Sequence, residues 1–267
     1  MNTNPTFIQR YALPLYLILT PLISLAIALF LPIPIVAIAL LLLLVPSALA
    51  ILLTALAEGG KSVSELLKKL FQWKISFKWY AVALAMPIGI ILASGVVAFL
   101  LGWSDTVQIR VPAASQLITN IILVLLIAVL EELGWRGYAL PRLLRYQSPL
   151  TSALIVGVLW GLLHIGLGLA DGRPWLPTFL APFGMSVALT WLFLHTRGSL
   201  AMAMLFHFAA DYSPQFILSG LTIDQAVWSQ AIVNLAVALV LILLFGVNLQ
   251  QNPVKEPVMT EAAQTVE

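Results

Sequence analysis

Ile121-Ile-Leu-Val-Leu-Leu-Ile-Ala-Val-Leu130 runs without a polar side-chain atom and then stops at Glu131-Glu132-Leu-Gly-Trp-Arg136. With its flanks the run makes an apolar stretch over 116–140. At ~1.5 Å per residue, such a stretch crosses a ~30 Å hydrocarbon core as a helix. Two carboxylates at its end are costly in a chain whose charged residues are only 9% of the total. An ionised carboxylate in hydrocarbon costs about 3 kcal/mol on insertion scales, so the pair must be matched by protons, cations, hydrogen bonds or a water-filled cavity.

Outward from this stretch the pattern repeats. The 267 residues are 61% hydrophobic, with a mean hydropathy of +1.02, too apolar for one water-soluble domain. Stretches long enough to span recur at 11–31, 34–57, 79–102, 116–140, 150–170, 176–196, 199–219 and 227–248. The expected fold is an all-α, polytopic transmembrane helical bundle of about eight spans. Continuous apolar runs exclude a barrel, whose ~10-residue strands alternate. Residues 1–251 read as a single transmembrane domain with a motif-bearing core at about 116–219, and the first span reads as a retained anchor. Residues 252–267, with Pro253, Pro257 and little hydrophobicity, read as a disordered cytoplasmic tail.

Net charge is only +2, so no nucleic-acid partner is implied. With the N-terminus in the cytoplasm, Arg10, Lys61, Lys68, Lys69, Lys74, Lys78, Arg136, Arg142, Arg145, Arg197 and Lys255 fall inside, and Arg110 and Arg173 outside. This asymmetry predicts an N-in, C-in integral membrane protein, with the plasma membrane as its expected location. Residues 58–74 mix Leu66, Leu67, Leu70, Phe71 and Trp73 with lysines and read as an interfacial amphipathic segment against membrane lipid. Absence of cysteine excludes disulfides, thiolate ligands and a cysteine nucleophile.

Three polar constellations interrupt the apolar spans. Glu132 and Arg136 are four apart and share a helix face, whereas Glu131 is rotated by ~100° and points elsewhere. Arg136 can therefore satisfy Glu132, leaving Glu131 free inside the bundle. Trp160 and His164 share a face of the next span, where Gly157 and Gly161 form a small-residue strip that admits a neighbouring helix. His207 and Asp211, again four apart, can address one cavity or neutralise each other. His195, beside Thr196 and Arg197, reads as a polar interface residue. The three sets lie at similar depths from the expected cytoplasmic side and favour one shared hydrophilic cavity.

The ordered set Glu131-Glu132-xxx-Arg136, Trp160-xxx-His164 and His207-xxx-Asp211 resembles the CPBP family, which groups CAAX prenyl endoproteases with bacteriocin-processing and immunity proteins. The resemblance covers residues 131–211; Trp160 stands where Phe is usual, and Asp211 at a position taken by Asn or Asp. It implies an intramembrane endopeptidase acting on membrane-tethered or lipidated, CAAX-type peptides. Glu131, His164, His207 and Asp211 would be catalytic. Glu131 and His164 would activate water, and His207 and Asp211 would stabilise or orient the oxyanion. Glu132, Arg136 and Trp160 would support them.

An ionised Asp211 would repel an oxyanion, so either it is protonated, or His207 is the cation, or the pair helps bind a metal. Glu131, His164 and His207 can be drawn as ligands of Zn²⁺, although the sequence does not require a metal and carries no HExxH. Two other classes fit the same polar residues: a non-catalytic immunity or scaffold protein, and a proton-coupled transporter.

Overall fold

The computed structural model describes residues 6–31, 33–107 and 109–250. The expected tail at 252–267 lies outside them. The described residues form helices α1 (Phe7–Phe30), α2 (Ile35–Glu58), α3 (Gly60–Lys68), α4 (Phe77–Leu100), α5 (Ala114–Glu132), α6 (Leu140–Leu143) and α7 (Pro149–Asp171), followed by α8 (Trp175–His195), α9 (Leu200–Tyr212), α10 (Pro214–Ile217) and α11 (Ile223–Phe245). A π-helical segment, Leu133–Ala139, joins α5 to α6. No strand occurs among the described residues.

Caps chosen by sequence mark the helix starts. Thr6 and Gln9 form a capping box on α1, and Thr222 and Gln225 form another on α11. Ser148 precedes Pro149 at the first position of α7, and Gly172 ends that helix in the left-handed region at φ +80°.

Among the described residues, seven helices are long and apolar enough to cross a membrane. The expected span at 199–219 is instead broken into α9, of 13 residues, and the short α10. Pro214 supplies the break, because a proline lacks the N–H for the helical ladder and its ring crowds the carbonyl four residues back. α9 is thus ~20 Å long, shorter than a ~30 Å hydrocarbon core.

α8 is enclosed by α7 and α11, and α9 packs on α4 and α5. The strip expected at Gly157 and Gly161 does admit a neighbour: a Cβ on Gly161 would lie 2.8 Å from the Phe179 carbonyl oxygen, and one on Gly157 3.0 Å from that of Phe183. α1 stands at the rim and turns Ile18, Leu22, Leu25 and Leu29 outward.

The basic loops gather at one end. Arg10, Glu58, Arg142 and Arg145 line one cavity, and Ser199 Oγ donates to Gln72 O at 3.1 Å. Arg110 lies at the other end, where its N–H donates to Phe216 O at 2.7 Å. Arg10, Lys69, Arg142 and Arg145 thus gather at one end, and Arg110 stands at the other. The amphipathic segment makes α3, which docks rather than merely lying on lipid. Leu66 is buried against the π segment, 3.3 Å from a Cβ placed on Gly137, and Lys69 Nζ donates to Gly137 O at 3.3 Å.

Candidate active site

The end of the apolar run is shaped by α2. Gly134 meets Pro46 so closely that a Cβ would lie 2.6 Å from the Pro46 carbonyl carbon and 2.7 Å from the Tyr16 hydroxyl. The Ser47 hydroxyl donates to the Leu130 carbonyl, one residue before the glutamates. Immediately beyond them the ladder loosens, and the Leu140 N–H bonds Trp135 O, five residues back. Such π turns inside helices occur often at functional sites.

Glu131 and Glu132, adjacent in sequence, take different partners, as their ~100° separation requires. Glu132 Oε1 accepts from Arg136 Nη1 at 2.7 Å, with both side chains fully buried. The same oxygen faces His207 Nδ1 at 2.8 Å. Glu132, expected only to hold Arg136, is thus joined to the third constellation as well. Arg136 also donates to Ser186 Oγ at 3.4 Å and lies 4.6 Å from the centroid of the Trp160 ring.

Glu131, 1% exposed, accepts from Trp160 Nε1 at 2.5 Å, and His164, His207 and Asp211 lie within its electrostatic reach. The Trp160 ring meets His164 edge-on at 5.7 Å between centroids and His207 at 5.2 Å. Trp160 therefore touches Glu131, Arg136 and both histidines, a convergence that a purely aromatic reading of this position misses. The indole N–H was the available signal, since a buried Trp nitrogen seeks an acceptor.

His164 Nδ1 lies 2.9 Å from Trp160 O. A carbonyl only accepts, so Nδ1 carries the proton and the neutral ring keeps its lone pair on Nε2. His207 lies between two carboxylates, with Glu132 at Nδ1 and Asp211 Oδ2 3.2 Å from Nε2. His195 stands apart, packed among Trp79, Trp191 and Phe245.

A cavity of about 430 Å³ reaches this array, lined by His164 and Asp211 together with Pro87, Ile90, Ile91, Val124, Ile127, Met185, Gln230 and Asn234. Glu131, Glu132 and His207 lie behind that wall. Exposed Arg173, in the loop between α7 and α8, also lines it, and the Asp211 side chain is 39% exposed. The cavity thus approaches from the end opposite the basic loops. α9 starts at the basic end, and Asp211 stands near its far end. Sequence reasoning also missed Ser47, Ser186 and Arg173.

The residues do not fit a metal centre. No group of three or more His, Cys, Asp or Glu side chains converges as ligands among the described residues. Both nitrogens of His207 face carboxylates, and Glu131 is held by an indole N–H. The Zn²⁺ set drawn from Glu131, His164 and His207 is not assembled, and no step below is routed through a metal.

Comparison with known proteins bears on the same segment. Residues 113–213 match the family described as Type II CAAX prenyl endopeptidase Rce1-like. Over 213 residues the chain is 26% identical to CAAX prenyl protease 2 of Methanococcus maripaludis, spanning 74% of this chain and 78% of that protein. The family match contains every residue from Glu131 to Asp211 described above.

Proposed function

We infer that this chain, which belongs to the CPBP family of CAAX-type prenyl endopeptidases, is an integral membrane protease that hydrolyses a peptide bond in a membrane-tethered, prenylated peptide. The plasma membrane is its proposed location. The observation that carries the reading is the meeting of Glu131, His164 and His207 around Trp160, with Asp211 on His207, at the inner wall of a cavity that exposes His164 and Asp211.

Peptide hydrolysis needs a base for water, a proton for the leaving amine and positive potential near the developing oxyanion. In the proposed mechanism water is held by His164 Nε2, the ring nitrogen left with a lone pair. Glu131 removes a proton from that water as its oxygen attacks the scissile carbonyl. The C–N bond then breaks, and Glu131 returns the proton to the amine. Arg136 and His207 supply positive charge behind the reacting centre. Only an imidazolium can donate to both Glu132 and Asp211. This arrangement favours His207 as the cation and Asp211 as the ionised group that orients it. General base catalysis contributes roughly 10²–10⁴-fold.

The test is cleavage of matched prenylated and unprenylated peptides by the protein in liposomes. Glu131→Gln keeps an acceptor for Trp160 and is expected to fold normally while losing turnover by roughly 10²–10⁴-fold. Unchanged cleavage by Glu131→Gln or by His164→Ala would sink the mechanism, and no cleavage of any prenylated peptide by the wild-type protein would sink the function.

A further inference from the structure

A second cavity, of about 350 Å³, lies at the basic end of the bundle and shares no lining residue with the cavity at His164 and Asp211. It is formed where the first turns of α1, the end of α2 and the segment after α6 meet. Arg10, Arg142 and Arg145 line it against one carboxylate, Glu58.

That carboxylate is already used. Glu58 Oε1 accepts from Arg142 Nη2 at 2.5 Å, and Arg142 is further committed through Nη1 to Tyr138 O at 3.2 Å and through its stack on the Tyr138 ring. Arg10 and Arg145 have no carboxylate within salt-bridge distance among the described residues. Both are exposed at the cavity. The surplus of positive charge extends beyond the lining: burial first, then the charges of Arg142 and Arg145, hold Lys69 below the ordinary lysine range.

The cavity is amphiphilic and lies at helix ends, where the headgroups of a bilayer matched to these helices fall. Its guanidiniums are at the ends of membrane-crossing helices, while Ala12, Leu13, Pro14 and Ala57 line its remaining wall. Tyr11 and Tyr146, both exposed, flank it as interfacial aromatics do. The adjoining outward face of α1 is apolar along its length. A free anion would use only the arginines; a phospholipid would use the arginines, the apolar wall and that outward face together.

We propose that this cavity binds the phosphate headgroup of an anionic phospholipid, with Arg10 and Arg145 as its ligands and the outward face of α1 against its acyl chains. Lipid retained by the full-length protein after extraction from phosphatidylcholine membranes containing phosphatidylglycerol can be counted by native mass spectrometry. The wild type is expected to retain phosphatidylglycerol in preference to phosphatidylcholine. A basic side chain near an anionic surface is worth about fivefold in binding, so Arg10→Gln with Arg145→Gln should weaken retention roughly 30-fold. Arg10→Lys with Arg145→Lys should keep most of it, and single Arg145→Gln should lose about fivefold should the double variant not fold. Equal retention of both lipids by the wild type, or undiminished retention by the Gln variants, would overturn the proposal. So would displacement of the lipid by millimolar inorganic phosphate, which would assign the arginines to a free anion.

Discussion

Replacing Glu132 by Gln removes one charge from a pair buried on both sides. One oxygen of Glu132 serves Arg136 at 2.7 Å and His207 at 2.8 Å. The amide oxygen of Gln can replace an acceptor but not the charge, so Arg136 would lose its ion-pair partner and keep neutral acceptors, Ser186 Oγ at 3.4 Å among them, and the Trp160 face. Stranding one member of a buried pair costs about 3–5 kcal/mol. Arg136→Met strands Glu132 in the same way, relieved in part by His207, so about 3 kcal/mol is expected there. The double variant strands neither charge against the other, so the two losses should fail to add by about 2 kcal/mol or more. Equilibrium unfolding of the four proteins in mixed micelles measures this coupling. Losses additive within ~0.5 kcal/mol would refute the pairing as an energetic unit. Turnover gives a second readout, because Glu132 also faces His207. Per folded molecule, Glu132→Gln should cleave peptide more slowly than wild type, and an unchanged rate per folded molecule would leave Glu132 with folding alone.

Other consequences are equally open to measurement. Gly134→Ala drives a methyl into Pro46 and the Tyr16 hydroxyl and should lower stability by about 1–3 kcal/mol, visible in the same unfolding assay; a neutral result would mean α2 can retreat. Gly161→Ala meets the Phe179 carbonyl oxygen and ring, so it should part α7 from α8 near His164 and reduce turnover as well as stability. Trp160→Phe removes the donor to Glu131 yet keeps most of the ring; an activity loss greater than the accompanying stability loss is expected, and the reverse would make the indole N–H incidental. The chain has no cysteine, so Lys61→Cys and Arg173→Cys can be labelled singly in intact cells with a membrane-impermeant maleimide. An N-in protein labels at position 173 and not at 61, and the opposite pattern would invert the topology.

What could be read from the sequence was local. Spans such as 150–170 and 176–196 differ from α7 and α8 by only a residue or so at each end, because helix length and apolarity are fixed by the bilayer. The pairs Glu132–Arg136 and His207–Asp211 were legible because helical spacing alone brings side chains four apart together. The apolar window at 199–219 concealed the break at Pro214, since hydropathy averages over the residue that ends the helix. The π segment was hidden for another reason: an i→i+5 register leaves no periodic mark over seven residues, and its setting depends on Pro46 and Ser47, some eighty residues away in sequence. Contacts distant in sequence also join Glu132 to His207, 75 residues away, and Trp160 to Glu131, 29 residues away, and they decide which carboxylate is held by an arginine and which by an indole. If Glu131 had an ion-paired arginine of its own, its charge would be neutralised as Glu132's is. A neutral N–H donor instead holds the side chain in place without supplying a countercharge, a difference the Trp160→Phe and Glu132→Gln variants separate.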